Sequence, residues 1–307
     1  MSQLTISLFG KFELQFGQKI STSCESQKAQ ELLCYLLLNR GIPHSREKLA
    51  TIFWQDYSTA QAKKYLRQAL WQMQTTLEKL DFPITELLQV ESDWIQIKCS
   101  AMVSLDTAVL ENAFTKVQDI SGRNLSDIQY KEVQEAAAVY HGKLLDGWYQ
   151  EWCLCEQERL HNFYLLLLDK LVDYCEHHHC YEMGIWYGME ILLHDIAFER
   201  AHRRLMRLFF NNGNRTAALR QYAKCVQALH DELGVKPAQR TIDLAAFIQG
   251  DQSALPAQPD LSSSGHSLDP LLVQLHTLQA DINQIQAQIS TNIQGFQSIL
   301  TSPNPPQ

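Results

Sequence analysis

From about residue 106 to residue 248, apolar residues recur at helical spacing with only short breaks. No strand-like alternation interrupts this stretch, so its apolar faces must be buried by packing helix against helix. The sequence therefore predicts a mainly α protein. The predicted helices span 106–118, 126–141, 150–180, 182–193, 198–211, 215–233 and 238–248.

Two of these helices resemble each other. "EMGIWYGMEILLHD" and "TAALRQYAKCVQALHD" each lead into a turn and a further helix, and the pairs begin near Tyr181 and Asn214. A recurrence of about 34 residues is the tetratricopeptide period. Helix pairs with this period stack into a curved array with a concave binding surface. We therefore expect an all-α, tetratricopeptide-like array over residues 101–250.

The first hundred residues have a mixed pattern. Residues 3–20 alternate apolar and polar side chains around two glycines, which predicts short strands and tight turns. Residues 87–98 predict two more strands around a polar turn at 91–93. Three helices lie between these strands, so we expect an N-terminal winged helix-turn-helix over residues 1–100. The predicted helices are 26–39, 46–54 with Ser45 as N-cap, and about 59–80 with a capping box of Ser58 and Gln61.

The end of the chain has a different composition. Residues 251–270 are rich in Ser, Pro, Gly and Asp and predict a flexible linker, and residues 301–307 predict a disordered tail. Residues 271–300 carry a heptad seam with one stutter, which predicts a coiled-coil helix and a homo-oligomer whose order stays open. The alternative is that this helix folds back on its own helical domain. The seam residues assigned to oligomerisation are Leu271, Leu275, Leu278, Ile282, Ile285 and Ile289.

Charge is distributed unevenly along the chain. The net charge is −8, but residues 1–100 hold 11 Lys and Arg against 10 Asp and Glu, whereas the remainder holds 15 against 24. The acidity therefore belongs to the later part of the chain, and the balance between residues 46 and 67 is mildly basic.

Several classes of protein do not fit the sequence. No apolar run reaches the ~18 residues of a membrane span, and no signal peptide is recognised. The eight cysteines show no disulfide-framework spacing, which predicts reduced thiols and a cytoplasmic location. No nucleophile elbow, paired-carboxylate motif or glycine-rich phosphate loop occurs, so we expect neither an enzyme nor a cofactor.

Three blocks of sequence resemble the bacterial transcriptional activators related to the Streptomyces antibiotic regulatory proteins. They are "QKAQELLCYLLLNRGIPHSREKLATIFWQD", "AKKYLRQALWQMQTTL", and "GKLLDGWYQEWCLCEQERLHNFYLLLLDKL" with "ERAHRRLMRLFFNNGNRTAALRQYAKCVQALHDELGVKP". The resemblance covers about residues 1–250. It implies a winged helix of the response-regulator output type, followed by a bacterial transcriptional activator domain. It also implies that the third helix binds double-stranded promoter DNA and that the helical domain contacts partners such as RNA polymerase.

The predicted DNA-reading helix has two faces. At about 100° per residue its apolar side chains fall in one sector, and the opposite sector would enter the major groove. Arginine can pair with guanine, glutamine with adenine, and lysine with phosphates. Relatives commonly carry arginines where this chain has Gln72 and Gln74. The predicted DNA-binding residues are Arg46, Lys63, Lys64, Arg67, Gln68, Trp71 and Gln74.

Two other clusters raise alternatives. "CEHHHC" (175–180) offers soft metal ligands, but four are needed, and we expect a polar helix end with buried cysteines and no metal. Arg203, Arg204 and Arg207 could hold an acidic or phosphorylated ligand, but we expect a solvated face paired with acids. Alternatives to the regulator are an adaptor whose winged helix has lost DNA affinity and, less favoured, a sensor of a small ligand.

Overall fold

The structure is a computed structural model that describes residues 3–98 and 100–250. Its elements agree with a mainly α protein, since long helices make up most of the described chain. The predicted linker, coiled-coil helix and tail, with all six seam residues, lie outside the described residues. The described strands are β1 (Leu4–Ser7), β2 (Glu13–Phe16), β3 (Lys19–Ser21), β4 (His44–Ser45), β5 (Leu88–Val90), β6 (Trp94–Ile97) and β7 (Val103–Leu105).

The strands form two small sheets. The first has the order β3-β2-β1-β7, in which β1 pairs antiparallel with β2 and parallel with β7. The second has the order β4-β6-β5, in which β5 and β6 form the predicted hairpin around residues 91–93. The pattern of 3–20 and 87–98 thus predicted five strands correctly. It missed β4 and β7, which have only two and three residues.

Three helices lie between β3 and β5 along the chain, and capping residues mark where they begin. They are α1 (Gln27–Leu38), α2 (Arg46–Phe53) and α3 (Thr59–Lys79). The Ser45 hydroxyl accepts a hydrogen bond from the Lys48 amide. Ser58 and Gln61 form the predicted capping box at the start of α3, so both predicted caps are confirmed. Such caps satisfy backbone groups that a helix end leaves unpaired.

The rest of the described chain is a series of helices. They are α4 (Asp106–Val117), α5 (Asp127–Ala138), α6 (Glu151–His177), α7 (Tyr181–His194), α8 (Glu199–Asn211), α9 (Arg215–Leu233) and α10 (Gln239–Gln249). Consecutive helices from α6 to α10 pack against one another. The first residues of α7 and α9 are Tyr181 and Arg215, in agreement with the predicted recurrence. Gly188 brings α7 close to α8, because a Cβ there would lie 2.8 Å from a methyl carbon of Leu205.

The two parts of the chain are joined by hydrogen bonds at residues 8–10, just after β1. The Leu8 and Phe9 amides donate to Asp106 Oδ2 at 2.7 and 2.9 Å, at the first residue of α4. The backbone of residues 143–146 bonds to residues 8–10. Burial raises the pKa of Asp106, against these hydrogen bonds. The predicted boundary at residue 100 stays a prediction, but β7 joins the N-terminal sheet from beyond it.

One hydrophobic core runs through both parts. Buried residues from the first sheet and α1 to α3 are continuous with those of α4 to α8. A second small cluster of Met206, Ala218, Ala245 and Ile248 lies at the far end of the array. Within residues 3–98 and 100–250, no helix has both the length and the apolar character that crossing a bilayer requires.

Candidate nucleic-acid interface

Helix α3 is held by its apolar face, which is packed against α1 and α2. The buried residues on this face are Ala62, Leu66, Ala69, Leu70, Met73 and Leu77. With that face buried, the opposite side of the helix is left to solvent. Lys64, Arg67, Gln68, Trp71 and Gln74 are all exposed there. The predicted division of this helix into two faces is confirmed, while the assignment of these side chains to DNA stays a prediction.

The three cations in the first half of α3, Lys63, Lys64 and Arg67, are not equivalent. Lys63 Nζ lies 2.7 Å from Glu47 Oε1 on α2, and this hydrogen bond lowers the pKa of Glu47. Lys64 and Arg67 form no ion pair or hydrogen bond with any residue that the structure describes. Both charges are therefore available to an external anion, whereas Lys63 must first leave Glu47.

The two glutamines near Trp71 differ in role. Gln72 is half-buried, and its Oε1 accepts a hydrogen bond of 2.7 Å from the Ser26 hydroxyl, which also caps α1. Gln72 therefore ties α3 to the start of α1 and does not belong to the exposed strip. Gln74 is exposed and donates to Glu78 Oε1 at 2.8 Å on the same helix. Of these two glutamines, only Gln74 belongs to the exposed strip.

Trp71 is the most prominent apolar group on the exposed strip. Its side chain is 63% exposed, although tryptophan is among the largest apolar residues. No aromatic ring of the described chain stacks on it. A side chain of this kind on an otherwise polar face is suited to contact with a flat apolar surface, whether a base methyl group, a sugar or a protein.

Arg46, the first residue of α2, lies beside the β5–β6 hairpin. Its Nη1 donates to the Glu91 carbonyl at 3.2 Å, and its amide donates to the Asp93 carbonyl at 2.9 Å. The side chain is half-buried. Arg46 therefore holds the β5–β6 turn against α2, and it would meet DNA only where that turn does. The turn carries two acidic residues, Glu91 and Asp93. The sequence shows both residues, but only the structure places them beside Arg46.

The arginine cluster of α8 differs from the expectation. Arg203 and Arg204 are buried, so the prediction of a solvated face is wrong, although the predicted pairing with acids is confirmed. Arg204 contacts Asp169 at 3.0 Å and Asp173 at 2.9 Å on α6, and Arg207 contacts Glu176 at 2.5 Å. Arg204 and Arg207 with these three carboxylates form an arginine ladder between α6 and α8. Each of the two arginines has a carboxylate partner, which offsets the free-energy cost of removing its charge from water.

The expectation of buried cysteines at 175–180 is confirmed for Cys175 and is wrong for Cys180. The seven cysteines among the described residues are free, and five of them are buried. Burial raises the pKa of Cys175 to about 11, so the buried thiol is a poor metal ligand. Cys180 is exposed, and His179 bonds to the Tyr181 hydroxyl at 2.8 Å. Within the described ranges, no group of three or more His, Cys, Asp or Glu residues is arranged to hold a metal ion.

Comparisons with known proteins bear on both parts. Residues 105–249 match the sequence model of the family described as the bacterial transcriptional activator domain. One similar solved structure is Mycobacterium tuberculosis EmbR in complex with a low-affinity phosphopeptide. It has 16% identity and a TM-score of 0.63, and the match covers 83% of this chain and 67% of that one. This likeness concerns the fold alone. A search of curated protein sequences found no match.

Proposed function

We propose, from the match of residues 105–249 to the bacterial transcriptional activator domain, that the chain is a DNA-binding regulator that activates transcription from promoter DNA in the cytoplasm. The predicted resemblance to the antibiotic-regulatory-protein type is confirmed for this domain. The observation that carries DNA binding is the strip of α3, where the unpaired cations Lys64 and Arg67 lie beside the amide of Gln68 on the face opposite the core. The strip has the donors that major-groove recognition requires.

The arrangement around α3 supports a winged helix. Three helices are followed directly by the β5–β6 hairpin, and the apolar face of the third helix packs on the other two. In such a domain the recognition helix enters the major groove, and the remaining elements position it on the backbone. Arg67 and Gln68 would read base edges, Lys63 and Lys64 would neutralise phosphates, and Arg46 would act through the hairpin turn.

The helical domain would supply the contacts with protein partners such as RNA polymerase. A phosphorylated partner is not assigned to Arg204 and Arg207 of α8, because these arginines already pair with Asp169, Asp173 and Glu176 of α6. An anionic ligand would have to displace these ion pairs from a buried site. The partner surface is therefore expected elsewhere on the array.

DNA binding is tested by fluorescence anisotropy of the full chain with duplexes from its own upstream region, over a range of salt concentrations. We expect binding tighter than the non-specific Kd of roughly 10⁻⁴–10⁻⁶ M. Arg67→Ala should reduce discrimination between bases by about 1–3 kcal/mol, and Lys64→Ala should lower the salt slope by about 1. Arg220→Ala, an exposed arginine on α9, is the matched control and should bind like the parent. Non-specific affinity that Arg67→Ala leaves unchanged would refute the proposal.

A second candidate is the adaptor, in which α3 contacts protein in place of DNA. Its support is the 63% exposure of Trp71 together with the pairing of Lys63 to Glu47 and of Gln74 to Glu78. The same titration separates the two candidates. If the chain is an adaptor, the parent chain shows no specific affinity for DNA in this titration. Trp71→Ala would then abolish binding of a protein partner.

A further inference from the structure

Of the three cations in the first half of α3, Lys63 alone has an ion-pair partner among the residues that the structure describes. Its Nζ lies 2.7 Å from Oε1 of Glu47, which belongs to the first turn of α2. Lys64 and Arg67 are exposed on the same helix and form no such pair within residues 3–98 and 100–250. The pairing therefore ties the charge of one predicted phosphate-binding residue to the helix that precedes α3.

The Lys63–Glu47 pair is accessible and can open. Both side chains are exposed, and ion pairs in that setting contribute little free energy and are screened by salt. The buried contacts of Arg204 differ in this respect, because opening them would leave carboxylates unpaired away from water. An external oxyanion can therefore replace the Glu47 carboxylate on Lys63 without disturbing the core.

Glu47 carries its negative charge at neutral pH. The first turn of a helix favours an anionic side chain, because the unpaired backbone amides there carry partial positive charge. The hydrogen bond from Lys63 lowers the pKa of the Glu47 carboxyl. The pair thus presents one ammonium and one carboxylate to an approaching polyanion, with no net charge.

We propose that Glu47 competes with DNA phosphates for Lys63 and so lowers the affinity of the chain for every duplex. The inference rests on the proposed function, in which Lys63 neutralises a phosphate. A phosphate oxygen bound to Lys63 would take the position that Glu47 Oε1 now holds, 2.7 Å from the ammonium. The displaced carboxylate would remain on α2 close to that phosphate and repel it.

The competition is independent of the DNA sequence. Phosphate contacts fix affinity and register, whereas base edges carry the sequence information. Glu47 should therefore weaken the binding of specific and unrelated duplexes by the same factor and leave discrimination to Arg67 and Gln68. Because binding to unrelated DNA depends almost entirely on phosphate contacts, the carboxylate limits the occupancy of the chain on such DNA.

Removal of the carboxylate tests this role. In fluorescence anisotropy of the full chain, Glu47→Gln should tighten an upstream duplex and an unrelated duplex equally, by about three- to tenfold at low salt. It should also steepen the salt dependence by about one released counterion, because Lys63 becomes available to phosphate. Glu132→Gln is the matched control, since Glu132 on α5 pairs with Lys116 on α4 at 2.9 Å, outside the candidate interface. It removes the same charge and should bind like the parent.

A double variant shows whether Glu47 acts through Lys63. In a Lys63→Met chain, Glu47→Gln should lose most of its gain and leave the salt slope unchanged. The proposal is overturned if Glu47→Gln binds no more tightly than Glu132→Gln, if only one duplex responds, or if the full gain persists in the Lys63→Met chain. Failure of the proposed function gives a different result: the parent binds both duplexes equally, while the gain of Glu47→Gln is still measured on either. A chain that binds neither duplex overturns both.

Discussion

The ring of Tyr35 on α1 meets the ring of Trp152 on α6 edge to face, with centroids 5.5 Å apart and planes at 87°. Phe53, the last residue of α2, also contacts Trp152, at 6.4 Å between centroids. The first turn of α6 is thus packed on both of the helices that support α3. Because the far half of α6 carries the carboxylates of the arginine ladder, one helix connects the candidate DNA-binding part to the array.

Loss of the Trp152 ring should weaken this connection. Trp152→Ala removes edge-to-face contacts and apolar burial at a half-buried site, and we expect it to lower the free energy of unfolding by about 2 kcal/mol. Urea denaturation followed by circular dichroism measures the change. Tyr149→Ala, an aromatic residue nearby that is 81% exposed, should have almost no effect. Equal losses in the two variants would show that the Trp152 contact contributes nothing.

Loss of the central arginine of the ladder should be more severe. Arg204→Met leaves Asp169, Asp173 and Glu176 without their buried partner, which typically destabilises a protein by about 3–5 kcal/mol. Thermal and urea unfolding would both record it. Arg220→Met replaces an exposed arginine on α9 and should stay within about 0.5 kcal/mol of the parent. A stable Arg204→Met variant would mean that water reaches these carboxylates.

Stability should fall as pH drops below neutrality. Burial lowers the pKa of His202, whose Nε2 contacts the Ile196 carbonyl and whose Nδ1 contacts Gln221, each at 2.8 Å. Burial also lowers the pKa of His44 and of His161. The folded state thus favours neutral imidazoles, while the unfolded chain takes up protons near the ordinary pKa of 6.5. The stabilisation is complete above pH 6.5 and is lost as pH falls toward the lowered values.

The loss should approach about 1.4 kcal/mol per pH unit for each histidine that stays neutral in the fold. Unfolding free energies measured between pH 7.5 and 5 would give the slope. His202→Gln should be less stable at pH 7.5 yet lose less on acidification, because one of the three sites no longer titrates. If this substitution leaves the slope unchanged, His202 does not contribute to the pH dependence of the unfolding free energy.

Neighbouring glutamines on α3 should respond differently to the same change. Gln72→Leu removes the acceptor of the Ser26 hydroxyl and should cost about 1 kcal/mol of unfolding free energy. Gln74→Leu removes only an exposed contact with Glu78 and should cost almost nothing. Chemical denaturation of the two variants compares them directly. If Gln74→Leu were the more harmful, the assignment of Gln72 to the α1–α3 contact would be wrong.

The periodicity of the sequence predicted the long helices closely. Helix α9 was expected at 215–233 and has those bounds, because helical spacing and an Asn cap are local properties. The exposed strip of α3 could likewise be predicted, since burying one face of a helix leaves the opposite face to solvent. The pairing of Lys63 with Glu47 and of Gln72 with Ser26 could not, because each joins residues on different helices.

What the sequence by itself determined are the elements and the two faces of α3. Only the tertiary structure decided which charges remain available. It placed Arg203 and Arg204, which look like surface cations in the sequence, in the interior. Arg204 meets three carboxylates of α6 there, whereas Arg203 bonds to Glu199 of α8 and to Thr241 of α10. It left Lys64 and Arg67 without such partners among the described residues. The physical reason is that a residue's position along its helix sets the direction of its side chain. The burial of that side chain and its electrostatic partner depend instead on the helix that packs against it.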